Sequence, residues 1–180
     1  MTGKPVVGVV MGSDSDLECM RRCLSQLEEL GIPYEVHVIS AHRAPQMLHR
    51  YAASAAGRGL KVLIGAAGMS AALAGALAAA TTLPVVGVPM ASGPLAGVDA
   101  ALSTLQMPPG VPVACMAVGA GGATNAAVFA AQVLALSDRK LAARLGRFKK
   151  RQAARVAQQD AAVRGALSAA AKRKGAGSTR

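Results

Sequence analysis

Five short apolar segments alternate with segments of helical periodicity, a pattern that predicts an α/β protein with a three-layer, doubly wound parallel sheet of flavodoxin/Rossmann-like type. Two further observations support that class. Strands buried on both faces lose their polar–apolar alternation and become continuous Val-rich runs, as in Val6-Val7-Gly8-Val9-Val10-Met11 and Val85-Val86-Gly87-Val88. Each run is followed by a loop of small residues, the punctuation expected where a strand hands over to a crossover helix. Right-handed crossovers put helices on both faces, so five core strands and a long C-terminal helix are expected.

The first strand, residues 6–11, leads into Gly12-Ser13-Asp14-Ser15-Asp16, where Ser15 and Glu18 form an S-x-x-E capping box that starts a helix. Leu17, Met20, Leu24 and Leu27 recur at helical spacing, and Gly31 with Pro33 ends that helix. A second strand alternates over residues 34–40, and Ala41-His42-Arg43-Ala44-Pro45 opens a helix that reaches Gly57. The third strand, residues 62–65, is followed by Ala66-Ala67-Gly68-Met69-Ser70 and an Ala-rich helix. The fourth, residues 85–88, precedes Pro89-Met90-Ala91-Ser92-Gly93 and a short helix near Asp99. The fifth is expected over residues 111–118, then Gly119-Ala120-Gly121-Gly122 and a helix from Asn125 to Leu136. From Asp138 a long basic helix decays into Lys172-Arg173-Lys174-Gly175.

The chain has 180 residues with 40 Ala and 20 Gly, and aromatics are only 2%. That length suits a single domain, placed at residues 1–160, with 161–180 a basic, disordered tail. The net charge of +11 is local: residues 1–138 hold seven Lys/Arg against eight Asp/Glu, whereas 139–180 hold thirteen Lys/Arg and only Asp160. The basic excess therefore describes the C-terminal segment, not the body. With one aromatic there, Phe148, and no recognisable module, specific nucleic-acid binding is not expected. Between residues 62 and 137 only Asp99 is charged, but Gly and Pro cut this stretch into strand-sized and short-helix pieces, which argues against a membrane span. Three Cys make no disulfide framework and no signal segment opens the chain, so a cytoplasmic location is expected.

In an open parallel sheet, ligands bind outside the carboxyl ends of the strands. Glycine loops there, opening onto helix N-termini, let backbone N–H groups approach an anion. Gly12-Ser13-Asp14-Ser15 and Gly119-Ala120-Gly121-Gly122 have that form, and the same glycines also suit turns and close packing. Neither matches a dinucleotide or nucleoside-triphosphate fingerprint, so a small phosphorylated ligand fits better. Arg43 is the one cation in the five strand-end loops and the natural phosphate partner, with a surface ion pair as the competing use. His42 beside it is either a proton shuttle or structural. His37 and His49 fit packing or surface positions. Ser13 and Asp16 are candidates for sugar or phosphate oxygens, although both also suit a helix start. Asp16 would repel phosphate, so a ribose hydroxyl is its better partner. No His/Cys/carboxylate set has metal-site spacing.

Three motifs make the pattern specific: MGSDSD after the first strand, SAHRAP after the second, and GVDAALSTLQMPPGVPV in the fourth unit. Together with GAGGATNAAVFAAQVLAL they resemble the PurE family of purine biosynthesis, over about residues 5–150. The resemblance implies an enzyme that forms 4-carboxy-5-aminoimidazole ribonucleotide without metal, ATP or biotin, hence with no cofactor. The carboxylate comes from N5-carboxyaminoimidazole ribonucleotide in the bacterial mutases and from CO2 in the other branch. The family's substrate-binding Ser, Asp and Arg fall on Ser13, Asp16 and Arg43, and its proton-transferring His on His42. Gly12, Ser40 and Ala41 in the same loops, with Gly68, Ser70 and Ser92 in the third and fourth, complete the expected substrate-binding set. The partners implied are a ribonucleotide monophosphate, CO2 and further copies of the chain in a homo-octamer.

One loop departs from the mutase pattern. Where the mutases carry G-G-A-A-H-L-P-G, this chain has Gly68-Met69-Ser70-Ala71-Ala72-Leu73-Ala74-Gly75, so the second family His is Ala72 and the Pro is Ala74. The CO2-using branch has A-G-R-S-N-A-L-S-G there, which Ala67, Gly68, Ser70, Ala72, Leu73 and Gly75 match. Arg43 and Gln106-Met107-Pro108 point back to the mutases. The mutase is the expected activity; a direct CO2-using carboxylase and a non-catalytic phosphosugar-binding relative are the alternatives.

Overall fold

The computed structural model describes residues 3–176, with side chains as far as residue 168. Contacts divide the chain into two compact units, Met1–Leu141 and Ala142–Arg180. The first unit holds a five-stranded parallel sheet, β1 Val7–Met11, β2 Tyr34–Val38, β3 Val62–Ala67, β4 Val85–Pro89 and β5 Ala114–Cys115, in the order β2-β1-β3-β4-β5. Every residue of β1 and β4 is buried, as continuous apolar runs require. Between the strands lie α1 Leu17–Glu29, α2 Pro45–Arg58, α3 Leu73–Ala79 and α4 Val98–Leu105, with α5 Ala120–Ala135 after β5. The predicted fold class is therefore the observed one.

Helices α2 and α3 cover one face of the sheet, where Val10, Ile39, Leu48, Ala52, Leu63, Leu73 and Leu77 form a buried apolar cluster. Helix α1 packs against α5 on the other. Helix α3 lies close to the sheet because Gly65 and Gly87 are register partners with no side chains between strand and helix. A Cβ at Gly65 would stand 3.2 Å from the Ala74 Cα, and one at Gly87 would stand 3.2 Å from the Ala74 Cβ. Larger side chains at either position would lift α3 off the sheet.

Four local expectations are corrected. The helix after β1 is opened by Ser13 and Asp16, not by Ser15 and Glu18: a 3-10 turn, Asp14–Asp16, precedes α1, and its N-cap Ser13 and Asp16 form the reciprocal box. The strand ends at Met11 and the turn begins at Asp14, so the orphan N–H groups arise two residues earlier than the sequence pattern suggested. Strand β5 has two residues rather than eight, and Pro112, with no N–H for the ladder, limits it on the N-terminal side. Residues 120–122 are helical rather than loop, and Gly122 is a glycine because the Ala117 carbonyl fills the place of a Cβ. The C-terminal helix α6, Arg139–Ala176, is unbroken through residues 161–176, where a disordered tail was expected. Ala, Arg and Lys are strong helix formers and dominate this stretch. An Asp160–Arg164 ion pair of 3.1 Å at i,i+4 adds to it.

Edge strand β2 is tied to α2 by a polar cluster. Glu35 accepts hydrogen bonds at Oε1 from the Tyr51 hydroxyl at 2.8 Å and from Arg58 Nη2 at 2.9 Å. The Arg58 guanidinium lies 4.6 Å from the Tyr51 ring centre. Burial pushes the Glu35 pKa up, but the two hydrogen bonds and the charges of Arg58 and His37 outweigh it, and the net shift is downward. A carboxylate held down in the fold stabilises it above the unfolded pKa and loses that contribution as pH falls through the folded value. Glu35→Gln is expected to lower stability at pH 7 by about 1 kcal/mol, with the deficit shrinking below pH about 4; urea midpoints at pH 7 and pH 3 check this.

Candidate active site

The strand order reverses at β1, since the chain moves from β1 to β2 on one side and to β3 on the other. Loops leaving β1 and β3 therefore diverge, and the crevice between them is where ligands bind in such sheets. A cavity of about 560 Å³ lies there, lined by the loops after β1, β2, β3 and β4. All ten residues singled out from the sequence line it: Gly12, Ser13 and Asp16; Ser40, Ala41, His42 and Arg43; Gly68 and Ser70; and Ser92. Residues 119–122, the second expected anion loop, do not.

The first loop is held by its own side chains. The Ser13 hydroxyl accepts from the Ser15 hydroxyl at 2.9 Å, and the Ser13 amide donates to Asp16 Oδ2 at 3.2 Å. Burial raises the Asp16 pKa, the Ser13 amide bond opposes that rise, and the charge of Asp14 adds to it. Gly12 donates its amide to the Ala66 carbonyl at 2.9 Å, which fixes the β1 and β3 ends side by side.

The second loop is organised by Ser40. Its hydroxyl accepts from the Arg43 amide at 3.2 Å and from Arg43 Nε at 3.3 Å, and its carbonyl accepts from the Ala44 amide at 2.9 Å. One side of the guanidinium is thereby fixed, leaving the two terminal amino groups for an oxyanion fork. His42 and Arg43 are both exposed, and α2 begins at Pro45 directly behind them. Pro at the first helical position needs no hydrogen-bond partner for a missing N–H.

The third and fourth loops are joined by contact. A Cβ on Gly68 would occupy the position of the Ser92 Oγ, so glycine is needed there for close approach, not for an anion nest. Ser15, Ala67, Met69, Ala72 and Leu73 also line the cavity, and nothing in their sequence pattern marks them as ligand contacts. Ser15 sits in the same glycine–serine loop, and Ala72 was noted only for the His it replaces. Cys19 and Cys23 lie outside the lining; burial raises the Cys19 thiol and pushes the Cys23 thiol up to about 12, so neither supplies a thiolate. Among the described residues no group of three His, Cys, Asp or Glu converges to hold a metal. No helix there is long and apolar enough to cross a membrane.

An open α/β sheet with a cation-bearing cavity at its switch point has the arrangement in which such folds bind small ligands. The comparisons narrow this. The AIR carboxylase family model matches residues 6–155, so the chain belongs to that family. It is 51% identical over 142 residues to an N5-carboxyaminoimidazole ribonucleotide mutase of Bacillus subtilis, covering 79% of this chain and 88% of that protein. It is 54% identical over 129 residues to the mutase of the same name from Pseudomonas aeruginosa, covering 72% and 79%. The crystal structure of Treponema denticola PurE superposes with a TM-score of 0.76 at 30% identity, covering 87% of this chain and 97% of that one.

Asp16 yields a stability test. A carboxyl whose pKa is raised by folding is disfavoured when ionised: that destabilisation is absent below the unfolded pKa and complete above the folded one. Asn keeps an acceptor for the Ser13 amide and removes the charge. Asp16→Asn is therefore expected to raise the denaturation midpoint at pH 7 and to leave it unchanged at pH 3, as chemical denaturation at the two pH values will show.

Proposed function

We propose that this chain converts N5-carboxyaminoimidazole ribonucleotide into 4-carboxy-5-aminoimidazole ribonucleotide, in purine biosynthesis. The observation that carries this is one turn that puts an imidazole, His42, and a pinned guanidinium, Arg43, into the same cavity as Ser13 and Asp16. The terminal amino groups of Arg43 take the phosphate as a charge-assisted pair. Ser13 and Asp16 exchange their mutual hydrogen bonds for the ribose and phosphate oxygens, with Asp16 on a ribose hydroxyl. Ser40 holds Arg43, while Gly12, Ala41, Gly68, Ser70 and Ser92 leave room for the imidazole ring and its carboxylate.

His42 carries both proton transfers. As the imidazolium it gives a proton to the exocyclic nitrogen while the N–C bond breaks, its electron pair staying on nitrogen and CO2 departing. Carbon 4 then attacks CO2, and the now neutral imidazole takes the carbon 4 proton, which restores aromaticity and regenerates the imidazolium. His42 is the one imidazole in the lining, and Ala72 presents only a methyl. Confining CO2 against the ring supplies part of the ~7–11 kcal/mol available from proximity.

Purified protein given N5-carboxyaminoimidazole ribonucleotide, and separately aminoimidazole ribonucleotide with bicarbonate, is expected to form product from the first. The readout must precede spontaneous decay of that labile substrate. Efficient product from the second alone would make it a CO2-using carboxylase, and binding without conversion a phosphosugar-binding relative. His42→Asn is expected to keep ribonucleotide binding and to lose about 10²–10⁴-fold in turnover; undiminished turnover removes His42 from the chemistry.

The same reading includes assembly into the homo-octamer implied by the family resemblance. Leu95, Val98, Leu102 and Leu105 are each more than half exposed. The last three share one face of α4, which suits contact with another copy. Leu102→Glu is expected to yield smaller species by light scattering; an unchanged mass would place the contact elsewhere. We place the catalytic domain at residues 1–160, assign no function to 161–180, and assign the protein to the cytoplasm, where its three free thiols stay reduced.

A further inference from the structure

Met69 lies in the left-handed backbone region with φ +56°, one of two non-glycine residues among those described that do so. Such a conformation disfavours any residue with a Cβ. It is the position that is Gly in the mutase loop, and Met69 is 56% exposed, so burial of its side chain does little to offset the strain. Strain retained at the wall of a cavity points to a use for the side chain.

The geometry shows what that side chain spans. Met69 extends from the β3–α3 loop to the β4–α4 loop and lies over Gly93, where a Cβ would stand 3.3 Å from its Cγ and 3.9 Å from its Sδ. The contact follows directly on that between Gly68 and Ser92, so two consecutive pairs join the loops, and Met69 and Ser92 both line the cavity. The far loop has positive φ at Gly93, Ala96 and Gly97 and is held within itself by short-range bonds such as Ser92 to Met90 at 3.0 Å. An unbranched thioether adapts to a partner that shifts. In the same loop the mutases' His is Ala72, so the bulky side chain sits three residues earlier than in the mutase pattern.

We infer that Met69 is a gate across the rim of the cavity, strapping the two loops together, and that it sets how much of the released CO2 is recaptured by carbon 4 rather than lost to solvent. This rests on the proposed reaction, in which CO2 is free between two bonds. Met69 touches no reacting atom in that scheme; it acts by positioning the loops and excluding water.

The test feeds N5-carboxyaminoimidazole ribonucleotide to wild type, Met69→Gly and Met69→Leu, and quantifies the carboxylated product and aminoimidazole ribonucleotide together, corrected for spontaneous decay. Met69→Gly is expected to raise the aminoimidazole ribonucleotide share several-fold, with Met69→Leu near wild type because it keeps the volume. Met69→Gly should also show a higher denaturation midpoint, which separates the leak from unfolding. In parallel, release of bound aminoimidazole ribonucleotide, followed by chase, is expected to be faster in Met69→Gly. Unchanged partition and unchanged release overturn the gate. If wild type does not convert the carboxylated substrate, the proposed reaction fails and the release rates alone decide whether Met69 closes the cavity. A wild type that holds neither ribonucleotide overturns both.

Discussion

The close approach of α3 to the sheet governs the geometry of the site. Gly65 and Gly87 stand side by side in β3 and β4, and the Ala74 side of α3 fills the space their side chains would take. Gly87 also leaves room for Thr104 of α4, so two crossover helices depend on one pair of glycines. Because both helices are drawn in, the loops that feed them leave their strands close together. The contacts of Gly68 with Ser92 and of Met69 with Gly93 follow from that placement. A larger side chain at the middle of either strand would thus act on the cavity as well as on the core, although neither glycine lines it.

The polar half of the cavity is organised differently, by short-range hydrogen bonds within single loops. Ser13 and Asp16 satisfy each other's backbone and side chain, and Ser40 holds Arg43. The Ser40 bonds keep the Arg43 guanidinium oriented before any ligand arrives, which lowers the ordering cost of binding, whereas those of Ser13 and Asp16 hold the loop until a ligand replaces them. They also leave Asp16 partly desolvated near a second carboxylate, Asp14, an arrangement that favours a hydroxyl donor over a phosphate.

How much of this was legible in the sequence depended on the range of the interactions. Strands β1 and β4 were plain because burial on both faces writes itself as an unbroken apolar run. The site loops were legible through their motifs, and the strand-end rule placed Ser13, His42, Arg43 and Ser92 around one crevice. The capping box was displaced by two residues because S-x-x-D at Ser13 and S-x-x-E at Ser15 are both sound patterns; which serine first leaves the strand is a tertiary fact. Strand β5 was overextended because a Val-rich stretch signals hydrophobicity, while ladder pairing depends on N–H groups that Pro112 interrupts. The strain at Met69 has no sequence signal: a positive φ at a residue with a side chain leaves no mark in composition or period.

The two-residue strand β5 has a consequence for how the fold breathes. Only Val86 with Ala114 and Gly87 with Cys115 are in register there, whereas β1 is flanked by five-residue pairings on both sides. Amide protons near β5 will therefore trade with solvent through small openings that leave the rest of the sheet intact. The order β2-β1-β3-β4-β5 puts that loose margin two strands away from the β1–β3 crevice. Opening at that margin leaves the five-residue pairing of β1 with β3, on which the crevice rests, in place.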